Sequence, residues 1–385
     1  MYNLTDNDLY KFTMMQFALH QMPSIEVEAK LIVRSKIDLR PLKEEIEAEI
    51  DKLCVAKMTQ VELEFLKTKS YLTSDFIYFL EDFSLKRRFV SVYEENGQLQ
   101  IRIKGPWVQV ILFEVPLLAI IEEVYSRHET IEKNLDVEKI GMENLLKKID
   151  YLNTLEHPFF LIDMGTRRRY SRQWHETVVK TLKEKCPSFL GTSNVWLAHK
   201  YNLNVFGTMA HEAFMVMQGS NDTQLINSQK HFLELWSKEY NGDLGIALTD
   251  TIGIDAFLKD FDLYLAKLYD GVRHDSGDPI YWGERMLEHY KKHKIDAKNK
   301  SLVFSDNLNF EKANTINLHF KDRARVLFGI GTFLTNDVGL KPLSIVIKIA
   351  RSNNSPVAKL SDEANKEMCE DPEFLHYIKK VFKKV

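Results

Sequence analysis

Cysteine is scarce: Cys54, Cys186 and Cys369 are the only three in 385 residues. Their odd count and the lack of any CxxC spacing exclude a disulfide framework and a structural zinc site, leaving buried thiols as the expectation. No apolar run is long enough to cross a bilayer. The longest, Val110 to Ile121, is broken by Glu114 and Pro116. The first eight residues carry Asp6 and Asp8 and no signal-peptide core, so a cytoplasmic protein is expected. Strong charge of either sign is also missing. A net charge of −3, with 44% hydrophobic and 28% charged residues, reads as an ordinary globular chain with no pull toward nucleic acid or membrane. There is no G-x-x-x-x-G-K-[ST] loop, and Gly329-x-Gly331 lacks the third glycine of a dinucleotide fingerprint. Neither His211-Glu212 nor His175-Glu176 is followed by the second histidine of H-E-x-x-H, because Met215 and Val179 stand there. No internal repeat or low-complexity segment is apparent.

What is present falls into two textures. Ile25 to Val33 alternates apolar with mostly polar residues, the pattern of a half-buried strand. Phe89–Tyr93 and Leu99–Ile103 flank Glu95-Asn96-Gly97, a hairpin signal. This predicts an α+β sheet module over residues 1–130. From there to about 340, short apolar runs alternate with amphipathic stretches: Phe159–Asp163, Phe189–Gly191, Val205–Gly207, Gly245–Thr249, Leu302–Ser305 and Val326–Gly331. Parallel strands covered by helices follow, with the chemistry at the strand ends, and the ring of polar ends favours a TIM-like α/β barrel over an open sheet. Beyond Lys341, Ser344–Ala350, Asn353-Asn354 and Val357–Leu360 read as a hairpin within a C-terminal segment, 341–385, that returns to the first module.

Each strand end carries chemistry. Arg167-Arg168-Arg169 follow Gly165-Thr166, and guanidinium forks suit phosphate, although a solvated basic turn has even weight from the residues alone. Arg273-His-Asp275-Ser-Gly-Asp278-Pro279 precedes a helix predicted over Tyr281–Lys292. Asp278 suits its N-cap while Arg273 and Asp275 face a ligand. Gly329-Ile-Gly331-Thr332 follows a late strand, where barrels bind phosphate through backbone N–H groups. Thr5 to Lys11 reads as a capped helix start. His211, between Gly207 and Glu212, has the chemistry to take a proton, a metal or a phosphoryl group.

These residues resemble the ATP-coupled nicotinate phosphoribosyltransferase family from end to end. The matching runs include Leu4–Lys11, Gly105-Pro-Trp107, Glu114–Ala119, Asp163–Arg169, Gly191–Asn194, Gly207–Glu212, Arg273–Asp278, Phe304–Asn307, Phe328–Thr332 and Lys359–Asp362. The resemblance implies an irregular α/β barrel joined to an N-terminal α+β open sandwich completed by C-terminal strands, and a homodimer with shared sites. It implies an ATP-dependent ligase of NAD salvage, condensing nicotinate with phosphoribosyl pyrophosphate and coupled to ATP through a phosphohistidine. His211 occupies the phosphorylated position, with Glu212 and Asp275 also catalytic. Arg167 lies beside the pyridine and phosphoribosyl groups, Asp275 bonds the ribose, Gly331 and Thr332 take its 5′-phosphate, and Gly329 is substrate-binding. Thr208 and Arg273 match nicotinate contacts, and Tyr10 matches an aromatic offered to the neighbouring subunit. Ser193 stands where nicotinamide-using relatives carry aspartate, which favours the acid as substrate. Met164 replaces the usual stacking aromatic. Mg²⁺ is implied through substrate phosphates, with Asp250, Asp275, Asp278 and Asp306 all open as contacts. The rival readings are a nicotinamide-preferring enzyme, a phosphosugar aldolase or isomerase on the same barrel, and an RNA contact through Arg167–Arg169.

Overall fold

A computed structural model describes residues 3–383; residues 1–2 of the expected segment 1–130 and residues 384–385 of the expected segment 341–385 lie outside it. Two sheets organise the chain. The first is antiparallel, from β1 (Glu26–Val33), β2 (Val90–Glu95), β3 (Gln98–Pro106), β11 (Ile345–Ser352) and β12 (Ser355–Pro356), in the order β12-β11-β1-β3-β2. The β2–β3 turn is made by Asn96 and Gly97 at φ 52° and 72°, the left-handed pair a two-residue hairpin needs. Asn353 and Asn354 play the same part between β11 and β12, at φ 47° and 62°. β13 (Ala358–Lys359) then leaves the sheet to pair with β14 (Met368–Cys369).

The second sheet is wholly parallel, in the order β6-β5-β4-β10-β9-β8-β7. Its strands are β4 (Phe160–Asp163), β5 (Phe189–Thr192), β6 (Asn204–Val205), β7 (Ile246–Leu248), β8 (Gly271–His274), β9 (Ser301–Phe304) and β10 (Arg325–Ile330). It curls into an irregular barrel whose end strands β6 and β7 share no ladder among the described residues. Thr208 Oγ1 bridges that seam by donating to Ile246 O at 2.8 Å. Because the strands are parallel, their C-terminal ends open on one side.

β8 is a strand that the six apolar runs do not include. Arg273 and His274 break the apolar run, so periodicity alone misses a strand held between β7 and β9. Gly271 is there because a Cβ would stand 2.2 Å from Ser301 O. The predicted helix after it begins at Pro279 and ends at Lys292, with Asp278 accepting from Tyr281 N at 2.7 Å as its cap. The helix Leu9–Gln21 differs at its start: Asp8 is the N-cap residue, but its carboxylate makes no cap bond. Of the cysteines, Cys186 is buried, while Cys54 and Cys369 are half-buried.

The barrel and the antiparallel sheet are joined through Glu122, a buried carboxylate in the helix Glu114–Lys133. It accepts from Asn336 Nδ2 at 2.8 Å and Leu343 N at 3.0 Å, fixing the segment between β10 and β11. Burial outweighs those donors and pushes its carboxyl up to about 7. A carboxyl raised on folding contributes stability that is full below its unfolded value near 4.5 and is lost as pH rises through about 7. Glu122→Gln is therefore expected to flatten the decline of Tm across that window. An unchanged slope in the variant would count against it. No helix among the described residues is long and apolar enough to cross a membrane.

Candidate active site

The C-terminal ends of the parallel strands meet β1 and β11 of the other sheet around one cavity. The N-terminal segment is laid across the strand ends. Leu9 N donates to Ser193 O, Val195 N to Asn7 O, and Trp196 N to Thr5 O, at 2.8 to 2.9 Å. Gly207, at φ 147°, permits this contact, since a Cβ there would lie 3.0 Å from Tyr10 N.

His211 begins the helix His211–Gln218 and is 4% exposed. Its Nε2 lies 2.7 Å from Asp250 Oδ1, and its Nδ1 3.8 Å from Asp275 Oδ2 at the cavity wall. Burial, reinforced by Lys359 and opposed by Asp250, holds the imidazole down to about 4. Asp250 is driven well below the carboxylate range, despite burial, by His211 and Lys359. A neutral ring facing an ionised carboxylate must place its proton on Nε2, which leaves the Nδ1 lone pair toward the cavity.

The three arginines separate in role. Arg167 and Arg168 line the cavity. Arg169 turns inward, bonding Asp6 through both guanidinium nitrogens at 2.7 and 2.8 Å. Arg273, Asp275, Gly329, Gly331, Thr332, Met164, Ser193, Tyr10 and Glu212 all line the cavity. Asp275 accepts from Ser305 Oγ at 2.9 Å. Ser193 Oγ does not point free: it donates to Asp8 at 2.8 Å, as does Thr166 Oγ1. Glu212 is likewise committed, to Trp107 Nε1 at 2.8 Å and to the buried ammonium of Lys11, which also pairs with Glu114. Met164 packs on Gly329, where a Cβ would lie 2.3 Å from its sulfur.

Tyr10 lines the cavity of its own chain, packed beside Gly207. Thr208 does not line the cavity; its hydroxyl closes the barrel seam. Asp278 caps its helix at an exposed position, and Asp306 is held by Lys366 Nζ at 2.7 Å through both oxygens, so neither reaches the cavity. Asp250, with His211 and Asp275, forms the one cluster of metal-ligand type among the described residues. Its oxygens are already engaged by His211, Ser276 Oγ at 2.6 Å and Lys359 Nζ at 3.0 Å.

Sequence reasoning missed Asp8, Lys11, Glu114, Phe206 and Lys348. Lys348 had a signal, a lone cation within the alternation Ile345-Val-Ile-Lys-Ile-Ala350. It lines the cavity with no hydrogen bond or ion pair among the described residues, and burial lowers its ammonium to about 8. Cations that follow β4 and lie on β8 and β11 thus line the same cavity as His211.

Models of the nicotinate phosphoribosyltransferase family match residues 5–122, as its N-terminal domain, and 159–385. The chain belongs to the nicotinate phosphoribosyltransferase family. It is 47% identical to a nicotinate phosphoribosyltransferase of Xylella fastidiosa, over 99% of this chain and 97% of that one. It is also 47% identical to one of Bordetella pertussis, over 99% and 94%. The crystal structure of nicotinate phosphoribosyltransferase from Vibrio cholerae superposes with a TM-score of 0.95 at 40% identity, covering 99% of this chain and 94% of that chain. Met164 and Phe206 both line the cavity, Phe206 bringing an aromatic ring to it from just beyond β6.

Proposed function

We propose that the protein condenses nicotinate with phosphoribosyl pyrophosphate to nicotinate mononucleotide and pyrophosphate, in the cytoplasm and coupled to ATP hydrolysis through His211. The observation that carries the coupling is the neutral His211, held by Asp250 with Nδ1 toward a cation-lined cavity. Nδ1 attacks the γ-phosphorus of ATP, the bond to the bridging oxygen breaks, and ADP leaves. The ring, now bearing a phosphoryl group and the Nε2 proton, is cationic, and Asp250 compensates that charge. Water later cleaves the P–N bond and releases phosphate.

In the main reaction the pyridine nitrogen forms a bond to the anomeric carbon while the C–O bond to pyrophosphate breaks. Positive charge develops on the ribose and negative charge on the leaving group. Arg167, Arg168, Arg273 and Lys348 are the cations available to the anions. Asp275 is the carboxylate available to the ribose, and the backbone at Gly329, Gly331 and Thr332 to its 5′-phosphate. Asp275, with one oxygen toward the cavity, suits a Mg²⁺ held mainly by substrate phosphates. Such an ion would offset the charge of pyrophosphate as it leaves. The proposal includes a homodimer with shared active sites.

Purified protein given nicotinate, phosphoribosyl pyrophosphate, ATP and Mg²⁺ is expected to release nicotinate mononucleotide. The kcat/KM for nicotinate should exceed that for nicotinamide, since Ser193 and Asp8 hold each other and Arg167, paired only loosely with Glu114 at 3.8 Å, lines the cavity as a cation for a carboxylate. Label from γ-phosphate should appear on the wild type and vanish in His211→Ala. No mononucleotide would end the proposal, and label persisting in the variant would move the acceptor elsewhere.

A further inference from the structure

We infer that Lys359 is the positioning residue that fixes Asp250, and through it turns His211 Nδ1 toward the cavity. The inference rests on His211 as the phosphoryl acceptor and adds what prepares that nitrogen for its task.

Lys359 comes from β13, in a strap that reaches the histidine from the far end of the chain. It is 5% exposed and does not line the cavity. A buried ammonium is costly unless paired, and among the described residues its one ion pair is with Asp250 Oδ2, at 3.0 Å. Ser276 Oγ donates to the same oxygen at 2.6 Å, which leaves Oδ1 for His211 at 2.7 Å.

The strap is fastened at both ends of the histidine's support. Gln218, the last residue of the helix that His211 begins, brackets Ala358: its Nε2 donates to Ala358 O at 2.8 Å, and its Oε1 accepts from Ala358 N at 2.7 Å. On the other side of Lys359, Leu360 N donates to Thr251 O at 2.7 Å, next to Asp250, and Ser361 Oγ to Ser276 Oγ at 2.8 Å. Lys359 is thus held between the histidine's helix and the loop that carries its acceptor. An ammonium fixed on Oδ2 keeps the carboxylate ionised and unable to rotate, so the imidazole sees only an acceptor and keeps its proton on Nε2. Partners one step beyond a reactive group commonly set its tautomer and ring orientation in this way.

The test uses the full chain. In Lys359→Met, kcat of the ATP-coupled reaction is expected to fall roughly 10- to 100-fold. KM for nicotinate and for phosphoribosyl pyrophosphate should stay near wild type, because Lys359 touches neither. Lys359→Arg should recover most of the rate. The readout that a merely structural lysine would not move is the ¹⁵N spectrum of histidine-labelled protein, with His211 assigned from His211→Asn. The wild type should show the Nε2–H tautomer, and Lys359→Met a mixture. That spectrum needs no ATP, so absence of phosphoryl label in the wild type would sink the phosphohistidine reading while the tautomer result still judged Lys359. Should Lys359→Met fail to fold, Gln218→Ala frees the strap without removing the charge, and the same mixture is expected. A folded variant with wild-type kcat and a wild-type His211 spectrum overturns the inference, whatever its Tm.

Discussion

Replacing Arg169 with methionine is expected to cost about 3–5 kcal/mol of unfolding free energy, a large part of the 5–15 kcal/mol that holds a typical domain together. The side chain is 4% exposed and its partner Asp6 is 6% exposed, so the substitution strands a carboxylate away from water. Asp6 would retain Asn194 Nδ2 at 2.8 Å and Arg172 Nε at 3.1 Å, too little to replace a bidentate guanidinium. Urea titration of the variant measures the loss, and a change below about 1 kcal/mol would show the pair to be dispensable. Adding Asp6→Leu should return part of it, since an apolar pair avoids the lone charge. The pH dependence has the opposite sign to that of Glu122. Burial pushes the Asp6 carboxyl up, but Arg169 and Arg172 together hold it well below its usual value. Its stabilisation is present above the ordinary carboxylate range and is lost as pH falls below it. Arg169→Met should therefore be least harmful in acid.

The second large effect is expected at Asp250. Asparagine has nearly the same shape, but its amide can donate to His211 Nε2, which then holds the lone pair while the proton moves to Nδ1. The nitrogen facing the cavity is no longer a nucleophile. A fall on the order of 10²–10⁴ in the rate of γ-phosphate transfer to the protein is expected, with nicotinate and phosphoribosyl pyrophosphate still bound. Rapid-quench labelling measures the transfer, and a near wild-type rate would show that the charge and acceptor of Asp250 do not set the reactivity of His211. The substitution also removes the counter-charge of Lys359, so the variant should be less stable as well.

Much of this site was legible in the sequence because barrel strands announce their own ends. Six apolar runs followed at once by polar residues located Met164 to Arg168, Ser193, Gly207, Asp250, Ser305 and Gly329 to Thr332 correctly. The hairpin at Asn96-Gly97 was as plain, because positive φ restricts the residues that can stand there. What stayed hidden was pairing between distant segments. Nothing local tells Arg169 from Arg167, yet one faces Asp6, 163 residues away, and the other a cavity. Lys11 looks like a helix-surface lysine but lies fully buried between Glu114 and Glu212. Thr208 spends its hydroxyl on closing a seam, which only the failure of β6 and β7 to pair could reveal.

The pairing of β1 with β11 ties Val27 to Ser352 and Val33 to Ile345. During synthesis, β1 leaves the ribosome long before its neighbour exists and must wait with one edge of bare amides and carbonyls, while the whole barrel is translated. Such an edge is an invitation to other nascent chains. The charges on β1, Glu26, Glu28 and Lys30, sit where they would discourage that pairing. The last tenth of the polypeptide thus completes both its first sheet and, through Lys348 and Lys359, the surroundings of His211, so that a chain interrupted before β11 would be left with an adhesive edge and an unfinished cavity.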